Sequence, residues 1–195
     1  MTTTTNGTTN GTTNTLPLAA GVWTLDPVHC TVEFTARHMA ISKVRGRFHT
    51  FDATVVVGDS LESSSLSATI DMSSVDTNNS DRDAHLRNSD FFHIDEHPEM
   101  TFQSTAIESA GDNAYGVIGD LTINGTTRQE RLDVVFQGTE TFPGDGSFHA
   151  GFEATATISR TDYGIDFNVP LGAGGFVISD NIGIELDIQL LAPQN

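Results

Sequence analysis

Cysteine is nearly absent. Cys30 stands alone in 195 residues, so no disulfide can form within one chain and no cysteine-based zinc site can be built. It falls in an alternating stretch, where a buried thiol behaves as a small apolar residue rather than as a nucleophile. Cations are also scarce: eight arginines and one lysine face 26 carboxylates, for a formal charge of -17. Such a field repels nucleic acid and anionic bilayers except where cations gather, and neither is expected as a default partner. No apolar run is long enough for a membrane-crossing helix. The first residues have neither the basic and apolar regions of a secretory signal nor the arginines of a transit peptide, which sets a cytoplasmic expectation. One Trp and two Tyr accompany 12 Phe, so the interior is poor in hydrogen-bonding groups and suits a ligand with a long hydrocarbon part, although packed Phe is the commoner use of the residue.

What the chain does have is strand after strand. Residues 1–20 are a Thr/Asn/Gly tract in which Asn6-Gly7-Thr8-Thr9 recurs as Asn10-Gly11-Thr12-Thr13; it reads as a disordered tail, and the folded domain as 21–195. Apolar Val28, Cys30, Val32, Phe34 and Ala36 alternate with polar neighbours, as do Phe51, Ala53, Val55 and Val57, and the two segments are expected to pair. Between them Arg37, Lys43, Arg45 and Arg47 share a stretch without Asp or Glu. That stretch is either a solvated connection, the reading adopted, or a basic rim that meets a phosphate, a head group or a membrane surface.

Leu66, Ala68 and Ile70 form the next apolar face, followed by the only helix-capable insert, residues 76–104. There Ser80-Asp81 is expected to cap a helix over residues 82–87, and Pro98 returns the chain to extended structure. Asn124-Gly125 is a strong hairpin signal between residues 115–123 and 131–137. Residues 148–158 and 183–191 alternate again, with a Gly-rich irregular stretch at 164–175 between them. The pattern predicts an all-β fold: one extended antiparallel lipocalin-like barrel of about eight strands, with the insert as a lid or rim.

The ordered motifs carry a resemblance. Trp23-Thr24-Leu25-Asp26-Pro27-Val28-His29, Phe34 with Arg37-His38, Gly46-Arg47-Phe48, Arg82-Asp83-Ala84-His85-Leu86, Asp90-Phe91-Phe92, His97-Pro98, the 119–127 segment and Arg160-Thr161-Asp162-Tyr163-Gly164 resemble YceI-like proteins from about residue 21 to 191. The resemblance implies a barrel whose pore takes a polyisoprenoid lipid, with no catalytic role and no cofactor, and a homodimer is expected by the same analogy. Cys30 departs from the family's usual Ser. Residues expected at the pore or lid are Phe34, Phe48, Leu86, Phe91, Phe92, Phe102 and Phe152, with His38 and Arg82 as polar contacts.

Two other classes were weighed. An interaction protein would fill the barrel with its own side chains and bind a partner through the insert. A metal-dependent hydrolase would draw ligands from His85, His93 and His97 with Asp83, Asp90, Asp95 and Glu96. No HExxH, facial triad or His pair on one helix face appears, and no Gly-x-Ser-x-Gly elbow, so no metal or catalytic residue is expected. Arg82, Asp83 and His85 are instead expected to tie the lid to the barrel. The glycines at 172, 174 and 175 lack the Lys-Ser/Thr ending of a P-loop and read as a rim loop.

Overall fold

A computed structural model describes residues 14–172 and 174–193. Its strands run β1 (Gly21–Leu25), β2 (Thr31–His38), β3 (Ser42–Phe48), β4 (Phe51–Val57), β5 (Ser65–Asp71), β6 (Val75–Asp76), β7 (Glu99–Gly111), β8 (Ala114–Ile123), β9 (Thr126–Thr141), β10 (Phe148–Ser159) and β11 (Asn181–Leu191), with one helix, α1 (Ser80–Arg87). All pairings between named strands are antiparallel.

These strands make eight staves, because three staves are broken in the middle. β1 continues as β2, β3 as β4 and β5 as β6. The first stave pairs with the second both below and above its break, through β1–β4 and β2–β3, and the second with the third through β4–β5 and β3–β6. The circle closes where β11 meets β1 at Leu25–Leu190 and β2 at Val32–Leu186. Closure leaves no free edge, and alternation along each stave turns one set of side chains inward.

The pairing expected between β2 and β4 does not occur. The basic stretch taken as a connection is itself a strand, β3, which pairs with β2 through Arg37–Lys43 and Thr35–Arg45. The turn hides in the sequence because Met39 (φ 53) and Ala40 (φ 62) occupy the two left-handed positions of a tight hairpin, where Asn or Gly is the usual signal. The Asn124-Gly125 hairpin forms as expected, with φ 50 and 71, and β9 begins directly after it at Thr126.

Three further boundaries differ from expectation. β2 starts at Thr31 rather than near Val28, because the Asp26 carboxylate accepts the Val28 N–H and turns the chain. Cys30 sits in that break, its thiol donating to the Gln189 carbonyl (3.3 Å) and its sulfur accepting the Gln189 N–H (3.2 Å). Asn79, not Ser80-Asp81, caps α1: its side chain accepts from the Arg82 N–H. Of the expected tail, residues 1–13 lie outside the described residues, while Leu16 and Leu18 pack against the core around Trp23. The folded part therefore begins before Gly21.

The two ends of the barrel are built differently. At the base, short turns join β4 to β5, β7 to β8 and β9 to β10, and residues 14–20 cross beneath them; the Leu61 N–H donates to Asn14 O (2.9 Å) and Trp23 Nε1 donates to Ala19 O (2.9 Å). At the other end lie the long connections, residues 72–98 and 160–180.

Candidate functional site

Inside the staves is a cavity of about 550 Å³, within the roughly 300–1,000 Å³ range of small-molecule sites. Its wall is the inward face of the barrel. Ile182, Ile184, Leu186, Ile188 and Leu190 of β11, Ala154, Ala156 and Ile158 of β10, and Leu132 and Val134 of β9 all border it. Leu16 and Leu18 close the base of the same space.

All nine residues singled out from sequence border this cavity. Phe34, Phe48 and Phe92 form a chain of tilted rings under the lid, with centroids 5.7 and 6.1 Å apart. Gly46 makes room for it: a Cβ there would lie 2.4 Å from the Phe34 ring. Phe91 packs on Phe167 (5.2 Å), and His85 meets both edge-on at 4.9 Å. Leu86 joins the same core from α1. Phe102 and Phe152 lie lower: Phe152 stacks on Phe136 at 5.3 Å, and Phe102 packs with Leu61 and Ile107. Arg82 and His38 stand at the lid end.

Hydrogen bonds hold the lid. Asp83, 7% exposed, accepts from both the Thr77 N–H and the Thr77 hydroxyl. Arg82 Nε and Nη2 donate to Thr77 Oγ1 (2.7 Å) and Thr77 O (2.8 Å), and Arg87 donates to the carbonyls of Ser73 and Val75. Arg82 and Asp83 thus tie α1 to the strand end that leads into it. His85 does not: it pairs with Asp90 (2.9 Å) inside the insert.

Opposite α1, Arg160 is buried and spends its guanidinium on the carbonyls of Ile165, Phe167 and Ser179. Fully buried Tyr163 donates to Glu130 Oε1 (2.8 Å). Burial first, and then the Glu130 carboxylate that takes its bond, push the Tyr163 hydroxyl far above its ordinary range. It is therefore a fixed neutral donor. Glu130 and Arg160 also border the cavity, and sequence reading missed them as site residues. Glu130 begins the inward series Glu130, Leu132, Val134, Phe136, so extending the β9 alternation back to the hairpin exposes it as the polar member.

One Ser–His–Asp alignment exists outside the cavity. Ser147 Oγ lies 2.7 Å from His149 Nε2, and His149 Nδ1 lies 3.7 Å from Asp26. The Gln189 amide nitrogen reaches both Asp26 (3.3 Å) and His149 Nδ1 (2.8 Å). A carboxylate only accepts, so the NH2 must face it, and Nδ1 then also accepts. The imidazole proton is left on Nε2, where His149 donates to Ser147 instead of drawing its proton away. The same Asp26 also takes a bond from His29, first among the causes that hold its carboxyl below the usual range.

Among the described residues, His93, Glu96 and His97 form the one set of three donors close enough to hold a metal ion. A turn gathers them, with the Glu96 and His97 N–H groups donating to His93 O; their i, i+3, i+4 spacing is that of one helix face, which the expectation of no such His pair overlooked. None of the three borders the cavity.

The model of the YceI-like domain family matches residues 23–190. A UPF0312 protein of Staphylococcus epidermidis is 41% identical over 162 residues, 82% of this chain and 91% of that protein. One from Staphylococcus aureus is 42% identical over 165 residues, 84% and 93% of the two chains. The crystal structure of the Campylobacter jejuni YCEI protein superimposes with a TM-score of 0.66 at 27% identity, covering 81% of this chain and 90% of that one. A polyisoprenoid binding domain from Saccharophagus degradans shares the fold at 15% identity, with a TM-score of 0.61 over 88% and 98% of the two chains. With the closed barrel, the capped insert and a family match across nearly the whole folded chain, this protein belongs to the YceI-like domain family.

Proposed function

We infer that the barrel binds and carries a lipid with an isoprenoid-type tail and has no catalytic role. The observation that carries this reading is the cavity: about 550 Å³ of predominantly apolar wall, with Arg82, His85, Glu130 and Arg160 among its polar residues. Such a space suits one hydrocarbon chain with a polar end. The Saccharophagus degradans domain of the same fold, described as polyisoprenoid binding, supports the tail class. A barrel filled by its own side chains would leave no such space, which counts against the interaction-module alternative.

Charge favours a neutral head group, such as a quinone. Arg82 and Arg160 have committed most of their donors to Thr77 and to backbone carbonyls, and Glu130 adds a carboxylate to the same wall. A pyrophosphate beneath the lid would meet little free cation there, because Arg37, which borders the cavity without an ion pair among the described residues, is exposed at its rim. Each isoprene unit moved from water into the cavity gains on the order of 3 to 4 kcal/mol, at about 0.8 per carbon group. A bilayer offers nearly the same gain, so exchange between the two is close to balanced, as a carrier requires.

Native mass spectrometry of protein purified without detergent, followed by solvent extraction, tests this. A single co-purified prenyl lipid per chain is expected. Empty protein that also refuses added prenyl quinones and prenyl phosphates would overturn the reading.

A further inference from the structure

The basic stretch and four exposed apolar side chains meet at the lid end of the barrel. Ile41 (77% exposed), Phe176 (60%), Val169 (48%) and Met39 (37%) are among the most exposed large apolar residues of the described chain. They come from two segments that are hydrogen-bonded to each other. The Met39 N–H donates to Val177 O (2.7 Å), His38 bridges Ile178, and the Val177 N–H donates to Val169 O. Directly behind this tip, Arg37 and Lys43 face each other across β2 and β3, and Arg45 follows two residues on. These three make no ion pair among the described residues; Arg47 lies 3.8 Å from Asp76.

Position gives the cluster meaning. Arg37, His38, Val177 and Ile178 border the cavity, so the apolar tip stands at the cavity's lid-end rim. Exposed apolar side chains backed by unpaired cations are the two elements of an interfacial membrane anchor, the first entering the acyl boundary and the second meeting anionic head groups.

We propose that Met39, Ile41, Val169 and Phe176, with Arg37, Lys43 and Arg45, dock the barrel mouth on an anionic lipid bilayer. This rests on the lipid-carrying reading for its purpose but not for its test. Docking orients the mouth toward the bilayer and lets a hydrocarbon tail pass between membrane and cavity without crossing water.

Vesicle co-sedimentation measures it. Wild-type protein is expected to bind vesicles of phosphatidylglycerol and phosphatidylcholine, to bind phosphatidylcholine alone much less, and to release at high salt. Ile41→Ser with Phe176→Ser is expected to abolish sedimentation. Lys43→Gln with Arg45→Gln is expected to weaken it by roughly fivefold per cation removed. Both pairs lie outside the core, so unfolding midpoints should match wild type, and uptake of a short soluble prenyl quinone should persist. Equal binding to anionic and neutral vesicles, or variants that sediment like wild type, would overturn the docking proposal. Loss of quinone uptake by wild-type protein would instead count against the cavity reading, whatever the vesicles show.

Discussion

The base and the lid of this barrel close the same cavity by opposite means. At the base, Trp23 is fully buried among Leu25, Val57, Ala150 and Leu190, with Leu16 and Leu18 beneath. At the lid, Thr77, Arg82, Asp83 and Arg87 are joined by directional bonds, and a short helix of polar composition covers the rings of Phe91 and Phe92. Apolar burial is lost in proportion to the area exposed, so the base resists opening. The insert buries apolar side chains too, Met72, Val75, Leu86 and Phe91 among them, but its helix is also held by side-chain bonds that water can replace at small net cost. On the lipid-carrying reading, that makes the lid end the entrance and the base the floor.

The largest effect is expected at the base. Trp23→Ala should cost about 3–5 kcal/mol of stability in denaturant unfolding; a loss below 1 kcal/mol would erase the contrast between the ends. Asp83→Ala strands the Thr77 N–H and hydroxyl and should cost about 1–3 kcal/mol. Its hydrogen-exchange signature should be faster exchange in residues 76–98 with the base unchanged. Leu16→Ala removes part of the floor, for about 1–2 kcal/mol, and should admit a longer prenyl chain in a chain-length series.

The smallest effect is acid sensitivity, which rests on depressed carboxyls, Asp26 and Asp180 among them. Asp26 is held below its ordinary value of 3.8 chiefly by His29, and Asp180 by the hydroxyls of Thr161 and Ser159. A depressed carboxyl contributes stability that is fully present above its unfolded pKa and is lost as pH falls through the lower folded value. Unfolding midpoints should therefore drop below about pH 4. Asp26→Asn should flatten part of that decline, and Asp180→Asn another part.

The strands of the barrel were legible wherever alternation and turn chemistry agreed, as at β8, Asn124-Gly125 and β9. β3 was not, because its turn uses Met39 and Ala40 at positive φ and its exposed face is cationic, which masks the inward series Val44, Gly46, Phe48. The aromatic wall was legible because Phe34, Phe48, Phe102 and Phe152 occupy inward positions of regular strands. The floor was hidden because the Thr/Asn/Gly tract before it set the composition of the whole stretch, although Leu16-Pro17-Leu18-Ala19-Ala20 is itself apolar. Tyr163 was hidden for a different reason: its pairing with Glu130 joins residues 33 positions apart, and no local pattern reports it.

The central claim is that the cavity between floor and lid holds one lipid tail, and obstructing it is the most direct test. Ala156 borders the cavity from β10, and Ala156→Trp would set an indole across the bore, blocking it rather than filling it, while leaving lid and floor in place. Prenyl quinone uptake should be saturable at one per chain in the wild type and lost in the variant, with the variant still folded. Equal uptake by both folded proteins would place the lipid elsewhere and contradict the account.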